Sequence, residues 1–163
     1  GGVECVRRHG AGVRCLALVE PHSLLLSGGA DGEIRLWDIS DRQSLVLLNT
    51  LYDVMSINSM VAVMTVAKGF QEQKDLDVYS ACGSNTDCSE IRCWRGVLAE
   101  HLIDGEGEEF SLRVMPVHRH CVLCLIRDPD SGFLVSSSAD LSLRVWDDQL
   151  RPVASRDVGM AVG

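Results

Sequence analysis

The feature that most constrains this chain is that it repeats itself. Displaced by 109 residues, His9–Asp38 falls on His118–Asp147 without a gap, and 11 of the 30 positions are identical. The matches include His9/His118, Ser27/Ser136, Asp31/Asp140, Arg35/Arg144, Trp37/Trp146 and Asp38/Asp147. Tryptophan is rare, so its recurrence with the same flanking Arg and Asp marks a duplicated unit. A third copy lies between them, where Glu90–Trp94 reads EIRCW against EIRLW at Glu33–Trp37. The tryptophans stand 57 and 52 residues apart, as expected for a unit of roughly 40–45 residues carrying insertions. A unit of that size cannot bury its apolar face alone, so the copies must stack on one another.

Within a unit the pattern has the period of strands. Val13, Cys15 and Ala17 fall on one face, and EIRLWD alternates. The intervening Gly-Gly-Ala-Asp-Gly is a hairpin turn, because Asp-Gly readily takes positive φ. The spacing predicts strands near 13–18, 24–28, 33–38 and 44–50. It predicts others near 60–67, 76–81, 90–94 and 110–117, and near 121–126, 133–137, 142–147 and 151–156. Val3 to Arg7 reads as the last strand of a preceding unit. Two insertions follow from the register: Lys68 to Asp75, and Arg95 to Glu109 with its acidic DGEGEE. The expected class is all-β, with four antiparallel strands per unit.

The units resemble WD repeats in having His, Ser closing the second strand, Asp in the next turn, and Trp-Asp closing the third. The first gives His9, Ser27, Asp31, Trp37 and Asp38; the last gives His118, Ser136, Asp140, Trp146 and Asp147. Arg8 and Val117 stand where Gly usually precedes the histidine. The middle unit is degenerate: Arg95 follows Trp94, no histidine opens it, and Asp87 in an enlarged turn is the stand-in for the turn aspartate. The resemblance implies a partial β-propeller of about three blades, with the whole of 1–163 in one propeller domain and units at about 9–50, 51–117 and 118–157. Propellers typically close with four to eight blades, so remaining blades of the same propeller are expected. It also implies that His9, Ser27, Asp31 and Trp37, and again His118, Ser136, Asp140 and Trp146, are structural tetrads tying a turn to its strands.

His, Ser and Asp together also suggest a hydrolase triad, which needs an exposed serine beside an oxyanion hole. Their recurrence in two units, each with its tryptophan, favours structure over catalysis, and no enzyme activity is expected. His118, His120, Cys121 and Cys124 resemble a metal or redox motif. However, His118 and Cys124 match His9 and Cys15, where no such cluster exists, and no metal or cofactor is expected. Asp128–Gly132 opens like a calcium loop but lacks the closing Glu and the flanking helices, so a β-turn is expected. Arg35, Arg92 and Arg144 stand two residues before each tryptophan; packing beside that ring is favoured over a shared acidic-ligand site.

Net charge is −8, which makes nucleic acid a poor default partner. No apolar run approaches the ~20 residues of a membrane-spanning helix. Seven cysteines, an odd number spread through apolar stretches, fit free thiols in an intracellular setting, cytoplasmic or nuclear. The function expected from the resemblance is a non-catalytic scaffold or adaptor that offers loops to other proteins or peptides. The alternative is a substrate-recognition or regulatory module of a larger enzyme complex, such as a ligase receptor. Candidate binding turns are 28–33, 82–90 and 137–142, with the acidic insertion 95–109 as a second surface.

Overall fold

The computed structural model describes residues 9–20, 22–67, 73–83, 89–98, 111–114 and 116–159. It is all-β, with no helix among the described residues. Blade one comprises β1 (Val13–Val19), β2 (Leu24–Gly29), β3 (Glu33–Asp38) and β4 (Val46–Tyr52). Blade two comprises β5 (Ile57–Ala67), β6 (Gln73–Gly83), β7 (Ser89–Trp94) and β8 (Ser111–Val114). Blade three comprises β9 (Val122–Arg127), β10 (Leu134–Ser138), β11 (Ser142–Trp146) and β12 (Pro152–Asp157). Each blade is a four-stranded antiparallel meander in which consecutive strands pair. This is the architecture of partial propeller blades.

The blades share fine structure as well as topology. Each inner strand slips by one residue at its start: between Val13 and Cys15, between Ile57 and Ser59, and between Val122 and Cys124. The duplicated sequence therefore carries a duplicated bulge.

The two cores lie between blades. The first gathers Leu26, Ile34 and Leu36 with Ile57, Leu76, Val78 and Trp94. The second gathers Tyr79, Ala81, Ile91 and Cys93 with Val122, Leu125, Leu134 and Trp146. Blade two is thus covered on both faces, and every residue of β7 is buried. Strand alternation sends Leu76 and Val78 to one core and Tyr79 and Ala81 to the other. Side chains also bond across the seams: Asn58 Nδ2 donates to the Val122 carbonyl at 2.9 Å, and Ser59 Oγ accepts from Leu125 N at 3.0 Å. Among the described residues the outer faces of blades one and three have no such cover, and Leu16, Leu18, Ile126 and Leu143 are exposed there.

Two sequence expectations are corrected. Lys68–Asp75 is not wholly an insertion outside the ladder, because Thr65 pairs with Asp75, Val66 with Lys74 and Ala67 with Gln73. The paired strands are longer than in the other blades, and the polar residues Gln73, Lys74 and Asp75 hid the start of β6. The segment beginning at Arg95 is not loop from its first residue. Val97 is buried in the first core, its N–H bonds the Leu76 carbonyl at 2.8 Å, and its own carbonyl accepts from Asn49 Nδ2 at 3.0 Å. The proposed strand Val3 to Arg7, the stand-in Asp87 and residues 99–109 of the acidic insertion lie outside the described residues.

Candidate functional site

In blade one the structure brings His9, Ser27, Asp31 and Trp37 into one chain of hydrogen bonds. Trp37 Nε1 donates to Ser27 Oγ at 2.9 Å, and Ser27 Oγ lies 2.8 Å from His9 Nε2. His9 Nδ1 sits 3.2 Å from the Asp31 carboxylate. The indole can only donate, so the serine spends its own proton on Nε2 and the histidine donates from Nδ1 to Asp31. The carboxylate also accepts the backbone N–H groups of Gly10 at 2.6 Å and Glu33 at 3.0 Å. Gly29 sits against this chain: a Cβ there would meet His9 Nδ1 at 2.5 Å.

Blade three repeats it with His118, Ser136, Asp140 and Trp146. Trp146 Nε1 to Ser136 Oγ is 2.9 Å, Ser136 Oγ to His118 Nε2 is 2.7 Å, and His118 Nδ1 to Asp140 is 3.1 Å. Ser142 joins it, with its Oγ 2.6 Å from Asp140 and 2.9 Å from His118 Nδ1. Burial pushes the Asp140 carboxyl up, but bonds from the Ser142 hydroxyl, Arg119 N–H and Ser142 N–H outweigh it and hold the group well below the usual range. Asp31 is lowered in the same way, with Glu33 N–H, His9 and Gly10 N–H overcoming burial. Burial lowers His118, against the pull of Asp140, and keeps its ring neutral.

The order Asp–His–Ser matches a nucleophilic triad, but the surroundings do not. Ser136 is 0% exposed and its oxygen already accepts the Trp146 N–H, so no substrate carbonyl can approach it. Ser27 is buried and held in the same way.

The middle blade reveals residues that the sequence reading missed. Ser80 keeps the bond from Trp94 Nε1 at 3.0 Å. Asp53 precedes β5 by four residues, as His9 and His118 precede β1 and β9. Its buried carboxylate pairs with Arg92 at 3.6 Å, and Cys82 Sγ lies 3.7 Å from both Asp53 and Ser80. An ion pair and a thiol therefore stand where the other blades carry histidine. The signal was positional: only the four-residue offset from the strand start identifies Asp53.

The three arginines differ. Arg35 pairs with Glu33, whose carboxylate accepts its Nε at 2.9 Å. Arg92 lies over Trp94, 3.6 Å from the ring centroid. Stacking on the adjacent indole thus occurs in the middle blade alone among the described residues, and Arg144 does neither. Cys121 is half-buried, Cys124 is exposed, and both are free thiols, as are Cys15, Cys82 and Cys93. Among the described residues, the group that brings three metal-ligating side chains together is His9, Asp31 and Glu33. Their donor atoms already serve Ser27, Gly10 N–H and Arg35. Asp128 closes a turn by accepting the N–H groups of Asp130 and Ser131, each at 3.2 Å. Of the candidate turns, 28–33 and 137–142 sit beside the two hydrogen-bonded chains, while 84–88 lies outside the described residues. No helix among the described residues is long and apolar enough to cross a membrane.

A family model for the WD domain, G-beta repeat, matches residues 3–38 and 110–147. An uncharacterized WD repeat-containing protein of Schizosaccharomyces pombe is 32% identical over 145 residues, covering 88% of this chain and 34% of that protein. Striatin-4 of Homo sapiens is 30% identical over 147 residues, covering 87% of this chain and 18% of its own length. WD repeat-containing protein 18 of Mus musculus is 28% identical over 127 residues, covering 78% and 26%. The chain therefore spans about a third or less of the curated relatives it matches. WD repeats are in general interaction domains without catalysis of their own.

Proposed function

This chain belongs to the WD-repeat proteins, and from that premise we propose that it is a non-catalytic scaffold or adaptor holding other proteins or peptides. The observation that supports the reading is the duplicated Trp–Ser–His–Asp chain. Each copy fixes a turn at one edge of a blade while sealing the serine that a hydrolase would need. Rigid strands with anchored turns suit the display of a constant binding surface. In this reading the two tetrads are structural, the whole chain is part of one propeller domain, and the partners are proteins rather than nucleic acid. Free thiols throughout the described residues support an intracellular setting.

The test uses the full-length protein, tagged and recovered from its own cells, with Ala30→Arg and Ala139→Arg in the exposed turn positions. The native protein is expected to carry stoichiometric protein partners, and the double variant to lose them without a change in Tm. A substrate turnover that disappears in Ser136→Ala while Tm holds would overturn the scaffold reading.

A further inference from the structure

We propose that the cleft bounded by Pro116, His118, Arg119 and Arg144 is a binding site for a carboxylate side chain of an acidic partner peptide. The site deepens the scaffold reading above and rests on it. The cleft has a volume of about 380 Å³ and opens at the edge of blade three beside the anchored turn.

The repeat itself shows what Arg144 lacks. In blades one and two the residue four before the tryptophan is Glu33 or Glu90, followed two residues later by Arg35 or Arg92. Glu33 clamps Arg35 through Nε and Nη2. In blade three that position is Ser142, whose hydroxyl is committed to Asp140 and His118. Arg144 keeps its place on the strand but has lost its acid. Its Nε is buried and has no hydrogen-bond partner among the described residues, while the side chain lines the cleft.

A guanidinium can also bind a carboxylate end-on, with its two Nη groups donating in parallel, and with Arg144 Nε buried that is the edge left to a ligand in the cleft. A partner's Asp or Glu would thus neutralise Arg144 from the cleft, as Glu33 neutralises Arg35 from within its own strand. Arg119 stands at the mouth, exposed, to hold the second oxygen. The neighbouring acid does not compete, because Asp140 is turned to His118, Ser142 and the Arg119 N–H. The described lining contains no acidic residue. The chain's net charge of −8 opposes long-range attraction of an acidic peptide. That repulsion is screened beyond roughly 10 Å at ordinary ionic strength, so recognition rests on the local pair.

The experiment is fluorescence polarisation on the full-length protein with a fluorescein-labelled peptide of alternating Gly and Glu and its Gly-Gln counterpart. Inorganic phosphate and succinate serve as competitors. The Glu peptide is expected to bind at least tenfold more tightly than the Gln peptide. Arg144→Gln, Arg119→Gln and Ser142→Glu should each weaken it roughly tenfold, the last by restoring the internal acid that blade one already tolerates. Arg119 is exposed, so its variant decides the matter if Ser142→Glu loses Tm. Equal binding of the two peptides, no binding, or full binding by Arg119→Gln and Arg144→Gln overturns the site. Displacement by phosphate far below the effective succinate concentration also overturns it, in favour of a phosphate site. Any of these with protein partners still recovered from cells leaves the scaffold reading standing; loss of those partners as well removes both.

Discussion

A single serine hydroxyl organises each end blade. Ser136 Oγ accepts the indole N–H of Trp146 and donates its hydroxyl to His118 Nε2, and His118 in turn is held by Asp140. The same residues set the response to acid. In the unfolded chain Asp and His titrate near ~3.9 and ~6.5. The fold lowers both Asp140 and His118, so the unfolded chain binds more protons as pH falls. Stability should therefore be full above about pH 6.5. It should decline below that as His118 favours the unfolded chain, and decline again below about pH 4 as Asp140 does the same. His118→Ala should cost about 1–3 kcal/mol at neutral pH by orphaning buried Ser136 and Asp140. It should also remove the first decline. Urea titrations of the two proteins across pH check both effects, and an unaltered pH profile would show that His118 is not the titrating group. At this scale the sequence was most readable: two copies of a rare residue set locate the bonds directly. Asp53 was not readable, because an ion pair replaced the histidine and left no shared residue type to align.

At the scale of strands and turns, the period of two and the turn residues place twelve strands with boundaries shifted by at most a few residues. The exceptions have physical causes. The β5–β6 hairpin runs on through Lys74 and Gln73, where polar side chains conceal a ladder that only backbone pairing reveals. Val97 follows a glycine at φ 67°, a bend that returns the chain to the core from a segment that reads as loop. The turn after each anchored aspartate shows a contrast between blades. Gly32 has φ 81° and Leu141, at the same distance from its tryptophan, has φ 67°. A leucine is strained there by roughly 1–2 kcal/mol, partly offset by the greater freedom glycine gives the unfolded chain. Leu141→Gly should therefore raise stability by up to about 1 kcal/mol, measured as a shift in the denaturation midpoint. A fall would mean that the contact of Leu141 with Gly159 outweighs the backbone strain.

Across the whole molecule the blades cover one another in one direction. Trp94 packs on blade one and Trp146 on blade two, each on the blade before its own. The outward faces at the two ends keep apolar side chains in water: Leu16 at 64% and Leu18 at 58% on one, Leu123 at 54% and Ile126 at 58% on the other. Large apolar side chains grouped on an exposed face favour association in water. These 163 residues expressed alone should therefore self-associate or aggregate. Size-exclusion chromatography with light scattering checks this, and a cooperative, monodisperse species of 17.8 kDa would show that the end faces need no cover. The order of blades was legible from the repeat. Which residues of blade two face which neighbour was not, because a sheet covered twice loses the in–out alternation from which strand faces are read.

The one-way packing of the tryptophans has an optical consequence. Trp94 and Trp146 are 6% and 3% exposed, whereas Trp37 is only partly covered. Indole emission from this chain should resolve into a shielded pair and one accessible component. Acrylamide should quench that component, and Trp37→Phe should abolish it. Whatever settles on the outer face of blade one would then announce itself as a blue shift and a loss of quenching at a single native fluorophore, with no label attached.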